Sequence, residues 1–537
     1  MSEGMLDTSF APQEGQYVER DICGETVSCE AVGEYTLPDY QPEIRKLLHI
    51  RAAVLPTGKY MGGAKAEFAG TVAHTVLYAD AEGKLASATL NADYDFSLPL
   101  PDGGEYTAVV DTMAEGTTCR LSGPRKLSLR TRLRSLVHLM REECITPDIR
   151  GMGSAADEAS LERLTESAES MTLTCGSSGE FTLSSTVRMD TPGADARAVW
   201  AGGNLLITES RAQEGGCLCR GEAWVRCLLS EGDAAPVTVR EKIPFEQFVP
   251  VEGAPDNASY IAYGRLVMAD VTIAPGEGEE NGTLGFDVSA EIDACATSSR
   301  PCNPVRDLYS TAYEMNCRHR TLAVSRPLGT AMGNYTVSGS RPRTECEAEN
   351  AATIVDADGR LEICGVSAEH GRAAVSGKLI AQVIFTAAGE GQDGAPALNS
   401  AEIVTPFRVE TELRPAAGSL PQFDCHGELI AVRARIEPNT LAVDAEIALA
   451  TRAYETKEMR ILESAEPDHS VTVDHRGNRI YVVYPKEGDT LFGVAARYHK
   501  SRASVAAQNA LPDDALASSH LTHSLDGVHH LLITDEE

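Results

Sequence analysis

Polar and apolar residues alternate in one register along three stretches of this chain. They are Leu127-Ser128-Leu129-Arg130-Thr131-Arg132-Leu133, Leu284-Gly285-Phe286-Asp287-Val288-Ser289-Ala290 and Leu441-Ala442-Val443-Asp444-Ala445-Glu446-Ile447. A period of two is that of a strand with one face buried. The leading leucines are 157 residues apart both times (284 − 127 and 441 − 284). A repeat of that length is a domain-sized unit rather than a solenoid turn. The pattern predicts a mainly β protein, with three related antiparallel, sandwich-like repeats followed by a small βααβ module. The expected bounds are 1–140, 173–302 and 303–463 for the repeats, 141–172 and 464–478 for linkers, and 479–534 for the module.

Other landmarks recur in the same order. Strands are expected at Ile50–Leu55 and from Gly70 to Tyr78, with a turn at Asp80–Gly83 and a return strand ending at Tyr94-Asp95-Phe96. Gly221 and Phe245, then Gly377 and Phe407, repeat the pair Gly70 and Phe96 at separations of 24, 30 and 26 residues respectively. The longest copy carries its excess in the Gly-rich stretch Ala387–Pro396, where insertion costs little. Pro42 suits the first turn of a short helix. Leu161 and Leu164 suggest an exposed helix over Asp157–Ser170, and Ser464–Asn478 reads as a polar connector.

The C-terminal pattern is different. A β run from Ile480 reaches a turn at Gly488, and Asp489 or Thr490 caps a helix. Leu491, Val494, Ala495 and Tyr498 share one helical face. A second helix is expected near Ala503–Asn509, and a last strand at Leu531-Leu532-Ile533 pairs with the first.

Charge narrows the partners. Of 537 residues, 79 are acidic and 47 basic, a net charge of −32. Nucleic acid and anionic membranes reward the opposite balance. The first residues, Met1-Ser2-Glu3-Gly4-Met5-Leu6-Asp7, lack the basic start and apolar core of a signal peptide. No apolar run approaches the roughly 18 residues of a membrane span. The polar faces of the template strands differ in sign: Arg130, Arg132 and Arg134 in the first copy, against Asp287, Glu291 and Asp293 in the second and Asp444 and Glu446 in the third. They read as solvated faces, with docking between copies as the sharper reading.

Candidate chemistry is sparse. The 14 cysteines form no Cys-x-x-Cys pair, the closest two being Cys217 and Cys219, so they read as small buried residues rather than zinc ligands. Oxidative cross-linking of some of them is the other reading. His520, His523, His529 and His530 crowd the end but lack the Glu of a metalloprotease helix, and read as loop histidines. Nucleophile-elbow, phosphate-loop and dinucleotide motifs are missing. The expectation is a non-enzymatic protein without metal or cofactor.

Two sets of residues carry a family resemblance. Leu37-Pro38-Asp39-Tyr40-Gln41-Pro42-Glu43-Ile44, and Asp307-Leu308-Tyr309-Ser310 ahead of the third repeat, resemble entry signatures of the SPOCS family of spore-coat domains. Gly488-Asp489-Thr490-Leu491 with Asn509-Ala510-Leu511 resembles the LysM module. Three SPOCS-like repeats before one LysM module resemble the clostridial spore-coat morphogenetic proteins. That resemblance implies a scaffold in the mother-cell cytoplasm at the forespore surface, contacting a coat-basement morphogenetic ATPase through the module; docking of the oppositely charged strand faces between molecules would add self-association. The resemblance also implies a groove lined by Gly488, Asp489, Thr490, Leu491, Phe492, Asn509, Ala510, Leu511 and Pro512. In LysM proteins such a groove binds N-acetylglucosamine chains, so peptidoglycan is the alternative partner. The insert Pro512–Asp526 departs from the family pattern.

Overall fold

The chain is mainly β. The computed structural model describes residues 16–101, 104–189, 196–232, 234–274, 282–388, 397–416, 418–473, 479–511, 525 and 527–534. The alternating stretches become long strands, and one strand order occurs three times.

The first unit holds β1 (Tyr17–Thr36), β2 (Ile44–Val54), β3 (Gly58–Gly62), β4 (Lys65–Asp80), β5 (Leu85–Pro99), β6 (Thr107–Gly123) and β7 (Lys126–Cys144). Its sheets run β1-β7-β6 and β2-β4-β5, with β3 also on β4. A short connection follows: β8 (Asp148–Ile149), α1 (Ala155–Ala159) and β9 (Leu161–Thr165). The second unit holds β10 (Ala168–Ser177), β11 (Phe181–Met189), β12 (Ala196–Gln213), β13 (Gly216–Glu231), β14 (Val237–Pro250), β15 (Ser259–Ala274) and β16 (Gly282–Cys302). Here β16 lies between β15 and the pair β10 and β11, and β12-β13-β14 is a meander. After β17 (Val305–Ser310) the third unit holds β18 (Tyr313–Pro342), β19 (Ala351–Glu369), β20 (Arg372–Ala387), β21 (Ala397–Glu410), β22 (Gln422–Ile436) and β23 (Thr440–Thr472). Its sheets run β18-β23-β22 and β19-β20-β21.

In every unit, then, the first strand pairs with the last, and three intervening strands fold up and down as a second sheet. Antiparallel neighbours joined by tight turns make that meander. In the second and third units the two sheets close on one core. That of the third unit joins Leu379, Val383 and Phe407 to Leu441, Val443 and Ile447.

The recurring glycine has a steric cause. Gly70 pairs with Tyr94, Gly221 with Phe245 and Gly377 with Phe407. Each ring lies over its glycine: a Cβ there would stand 2.6 Å from Tyr94 Oη, or 2.8 and 2.7 Å from the Cζ of Phe245 and Phe407. The first-unit partner is thus Tyr94, not Phe96, which pairs with Phe68. The spacing of 24 residues then matches the second unit.

The three units close into a ring. β5 packs on β12, β14 on β19, and β21 returns to β2. Leu48, Leu85, Leu228, Val355, Ile384 and Leu398 form one core drawn from all three units. Met140, Met171, Leu173, Ile261, Cys295, Ala450 and Tyr454 form another.

Several expectations need correction. Ile44 begins a strand, not a helix, because its N–H binds Pro124 O at 2.8 Å and the chain continues along β4. Over Asp157–Ser170 the helix ends at Ala159, and Leu161–Thr165 is a strand paired with β17. The expected connector from Ser464 is, to Thr472, the end of β23; β8 pairs with it at Ser464 and Ala465. The first unit also runs past 140, to Cys144. The stretch 389–396 lies outside the described residues.

Candidate functional site

The C-terminal elements are β24 (Ile480–Val483), α2 (Leu491–Arg497), α3 (Arg502–Gln508) and β25 (Leu531–Thr534), with β24 and β25 antiparallel. Gly488 makes the turn before α2, with φ at +87°. Asp489 braces that turn, accepting from Lys486 N at 2.9 Å. Thr490 is the N-cap, its hydroxyl accepting from Gly493 N at 3.1 Å. Leu491 is buried among Val494, Val505, Leu531 and Ile533. Asn509 ends α3, and its side-chain amide stands in for a strand neighbour. It donates to Leu532 O at 2.7 Å and accepts from Leu532 N at 2.6 Å. Ala510 follows with φ at +50°, and Leu511 packs on the module core. Pro512, His520 and His523 lie outside the described residues.

Two of the expected groove groups are already engaged. Asp489 O accepts from Leu525 N at 3.1 Å, so the end of the insert closes on the first loop. Phe492 faces the body of the protein, edge-on to Tyr309 of β17 with centroids 5.0 Å apart. Around it, Tyr309 Oη donates to Lys500 O at 2.9 Å and His499 Nδ1 lies 2.9 Å from Ser310 O. Arg502 pairs with Glu162 of β9 at 2.9 Å. The module is therefore seated on the small β9–β17 sheet. Its free surface is elsewhere: Ile480, Val482 and Leu532 lie exposed on the outer face of β24–β25, with Tyr484 exposed just beyond.

Sequence reasoning missed a second site. Where the units meet, a polar chamber of about 240 Å³ lies between them, lined by β2, β6, β12, β15, β19 and β22. Three of these strands, β6, β15 and β22, carry a bulge at the same step, opposite Leu133, Ala290 and Ile447. Each bulge lies beside the chamber and bends its strand there. In the chamber His426 Nδ1 lies 2.8 Å from Asp111 Oδ2, and its ring stacks on Tyr263 at 4.3 Å. Burial works against the charged imidazole, yet Asp111 and Glu428 outweigh it and hold its pKa above the ordinary value. The Glu428 carboxyl hydrogen-bonds to no described residue, and burial pushes it up to about 7.

Buried ion clusters tie the units on either side. Asp358 of the third unit contacts Arg226 of the second at 2.5 Å and Arg51 and His49 of the first at 3.3 and 3.4 Å. Burial alone would raise its pKa; Arg226 and Arg51 hold it well below the usual range. On the other side, His138 lies 2.6 Å from Asp21 and 3.0 Å from Asp424, and Arg452 contacts Asp424 at 3.0 Å. Burial opposes the charge on His138, but the two carboxylates raise its pKa to about 10. His138, Cys295 and Arg452 each stand eleven residues after the leading leucine of their template strand.

The oppositely charged strand faces do not dock on one another within the chain. Arg130 and Arg134 pair with Glu30 and Glu115, and Glu291 and Asp293 with Arg265; Asp444 pairs with Arg435. Each partner is in its own unit. Among the described residues no group of three His, Cys, Asp or Glu stands ready to hold a metal ion, and no helix is long and apolar enough to cross a membrane. Comparisons with protein-family models, curated proteins and solved structures found no match to this chain.

Proposed function

We propose that this chain is a non-enzymatic scaffold of spore-coat assembly, built from three SPOCS-like units and a LysM-like tail. It docks a coat-basement morphogenetic ATPase through that tail. The observation that carries the reading is the exposed apolar strip Ile480, Val482, Tyr484 and Leu532 on a module whose other side is occupied by the body. Contiguous exposed apolar surface marks protein interaction. The ring of three units supports a load-bearing role, since units that share cores and ion clusters hold the tail at a fixed place. The motifs Leu37–Ile44 and Gly488–Leu491 supply the link to spore coats.

Peptidoglycan binding is the second reading, favoured by the Gly-Asp-Thr-Leu and Asn-Ala-Leu turns. Against it, the Leu525 amide already takes the Asp489 carbonyl. LysM grooves bind sugar through such backbone groups. The test uses the full chain. Wild type should retain the purified coat-basement ATPase in a pull-down, and Val482→Asp with Leu532→Asp should weaken that by roughly tenfold or more while leaving the melting temperature unchanged. Retention on peptidoglycan sacculi without any ATPase binding overturns the scaffold reading.

A further inference from the structure

The ring places a dithiol where a reactive one is expected. Cys175 on β10 and Cys295 on β16 are direct cross-strand partners. Such partners have Cα atoms about 4.5–5.5 Å apart, within the range of about 4.4–6.8 Å that a disulfide spans. As opposed residues of an antiparallel pair, both side chains leave the sheet on the same face. Both line a lobe of about 340 Å³ that shares Asp111, Thr112, Tyr263 and Arg265 with the axial chamber. Cys175 keeps exposed surface there.

The third unit contributes a cation. Arg452 is buried, with Nε on Thr297 Oγ1 at 2.8 Å and Nη1 on Asp424 at 3.0 Å. Its remaining nitrogen, Nη2, is buried with no hydrogen-bond partner among the described residues. The Cys175 side chain beside it lowers the pKa of the Cys295 thiol; burial opposes that, and the charges of Arg452 and His138 add to the lowering. Cys175 moves up. A thiol whose pKa a guanidinium lowers, with a second thiol opposite it on the neighbouring strand, is the arrangement of a nucleophilic and a resolving cysteine.

We propose that Cys295 and Cys175 form an oxidation site for small hydroperoxides, Cys295 attacking and Cys175 resolving. The Cys295 thiolate attacks a peroxide oxygen. An S–O bond forms, the O–O bond breaks, and the leaving oxygen takes a proton to depart as water or an alcohol. Cys175 then attacks the Cys295 sulfur. The S–S bond forms, the S–O bond breaks, and hydroxide leaves with the proton that Cys175 gave up, as a second water. The dithiol loses two electrons and the peroxide gains two. The disulfide fastens β10 to β16 beside the chamber.

The other close pair, Cys217 and Cys219, lies two residues apart on β13 with sulfurs 3.7 Å apart. Both are fully buried in the apolar core of the second unit. They serve as the internal contrast.

The full chain, treated with one equivalent of hydrogen peroxide and quenched with N-ethylmaleimide, should yield a Cys175–Cys295 linked peptide. Two thiols per chain should be lost, and dithiothreitol should restore them. In Cys175→Ser, Cys295 should instead accumulate as a sulfenic acid that dimedone traps. In Cys295→Ser, Cys175 should stay reduced. Circular dichroism confirms that each variant is folded. The proposal is overturned if Cys175 and Cys295 stay alkylatable while exposed Cys144 and Cys364 are oxidised, if either pairs with another cysteine, or if no thiol reacts at all.

Discussion

At the scale of single residues, the groups that matter most sit on strand faces that elsewhere meet solvent. Along β7 the polar face begins exposed at Arg130 and Arg132 and becomes buried at His138. A period of two shows which face is polar. It does not show where another unit covers that face, so His138, Cys295 and Arg452 were illegible as a cluster. Only their shared step in three copies hinted at one. His138 makes a test. Its folded-state pKa of about 10 exceeds the ordinary value of about 6.5. Its contribution to stability is therefore full below about pH 6.5 and is lost as pH rises through about 10. His138→Gln should cost roughly 3–5 kcal/mol at neutral pH, because Asp21 loses the imidazolium beside it and Asp424 keeps only Arg452. Urea denaturation should show the gap between wild type and variant closing as pH rises from 7 to 10. The same measurement on Asp358→Asn should give a loss of similar sign, since Arg51 loses its carboxylate and Arg226 keeps only Asp356, at 3.6 Å. That loss should be absent once the pH falls far enough to protonate Asp358 in wild type.

At the scale of elements, alternation was a good guide and helical spacing a poor one in the body. The template strands, the turn at Asp80–Gly83 and the C-terminal β-α-α-β order are where the pattern puts them. The helices expected after Pro42 and across Asp157–Ser170 fail for one reason. Both stretches have a strand waiting beside them, β4 for Ile44–Val54 and β17 for Leu161–Thr165. Tertiary pairing outweighs local propensity. In the module, Gly488 and Thr490 were legible as turn and cap. Asn509 was legible as a landmark but not as what it is, an amide that completes the edge of β25. Asn509→Ala should leave the Leu532 N–H and C=O without that partner. It should destabilise the module by roughly 1–3 kcal/mol, read as faster amide exchange at Leu532 with little change in the body.

At the scale of the whole molecule, the three units depend on one another. The 157-residue spacing falls on β7, β16 and β23, each the last strand of its sheet in chain order, but nothing in a linear pattern foretold that β21 would return to β2. Each unit lends residues to cores and ion clusters completed by the other two. Residues 16–144 expressed alone should therefore expose Leu48, Leu77 and Leu85, bind a hydrophobic dye and aggregate. Limited proteolysis of the full chain should leave the three units associated, which gel filtration would show.

The seating of the tail has a consequence for anything it grips. Tyr309, Ser310 and Glu162 of the body hold the module through Phe492, His499 and Arg502, while Ile480, Val482 and Leu532 look outward. A partner bound on that outward strip would be held at one angle to the ring of the body. The orientation of any bound partner would then be set by the contacts of Phe492, His499 and Arg502 with the body, and loosening them would free that angle without touching the strip itself.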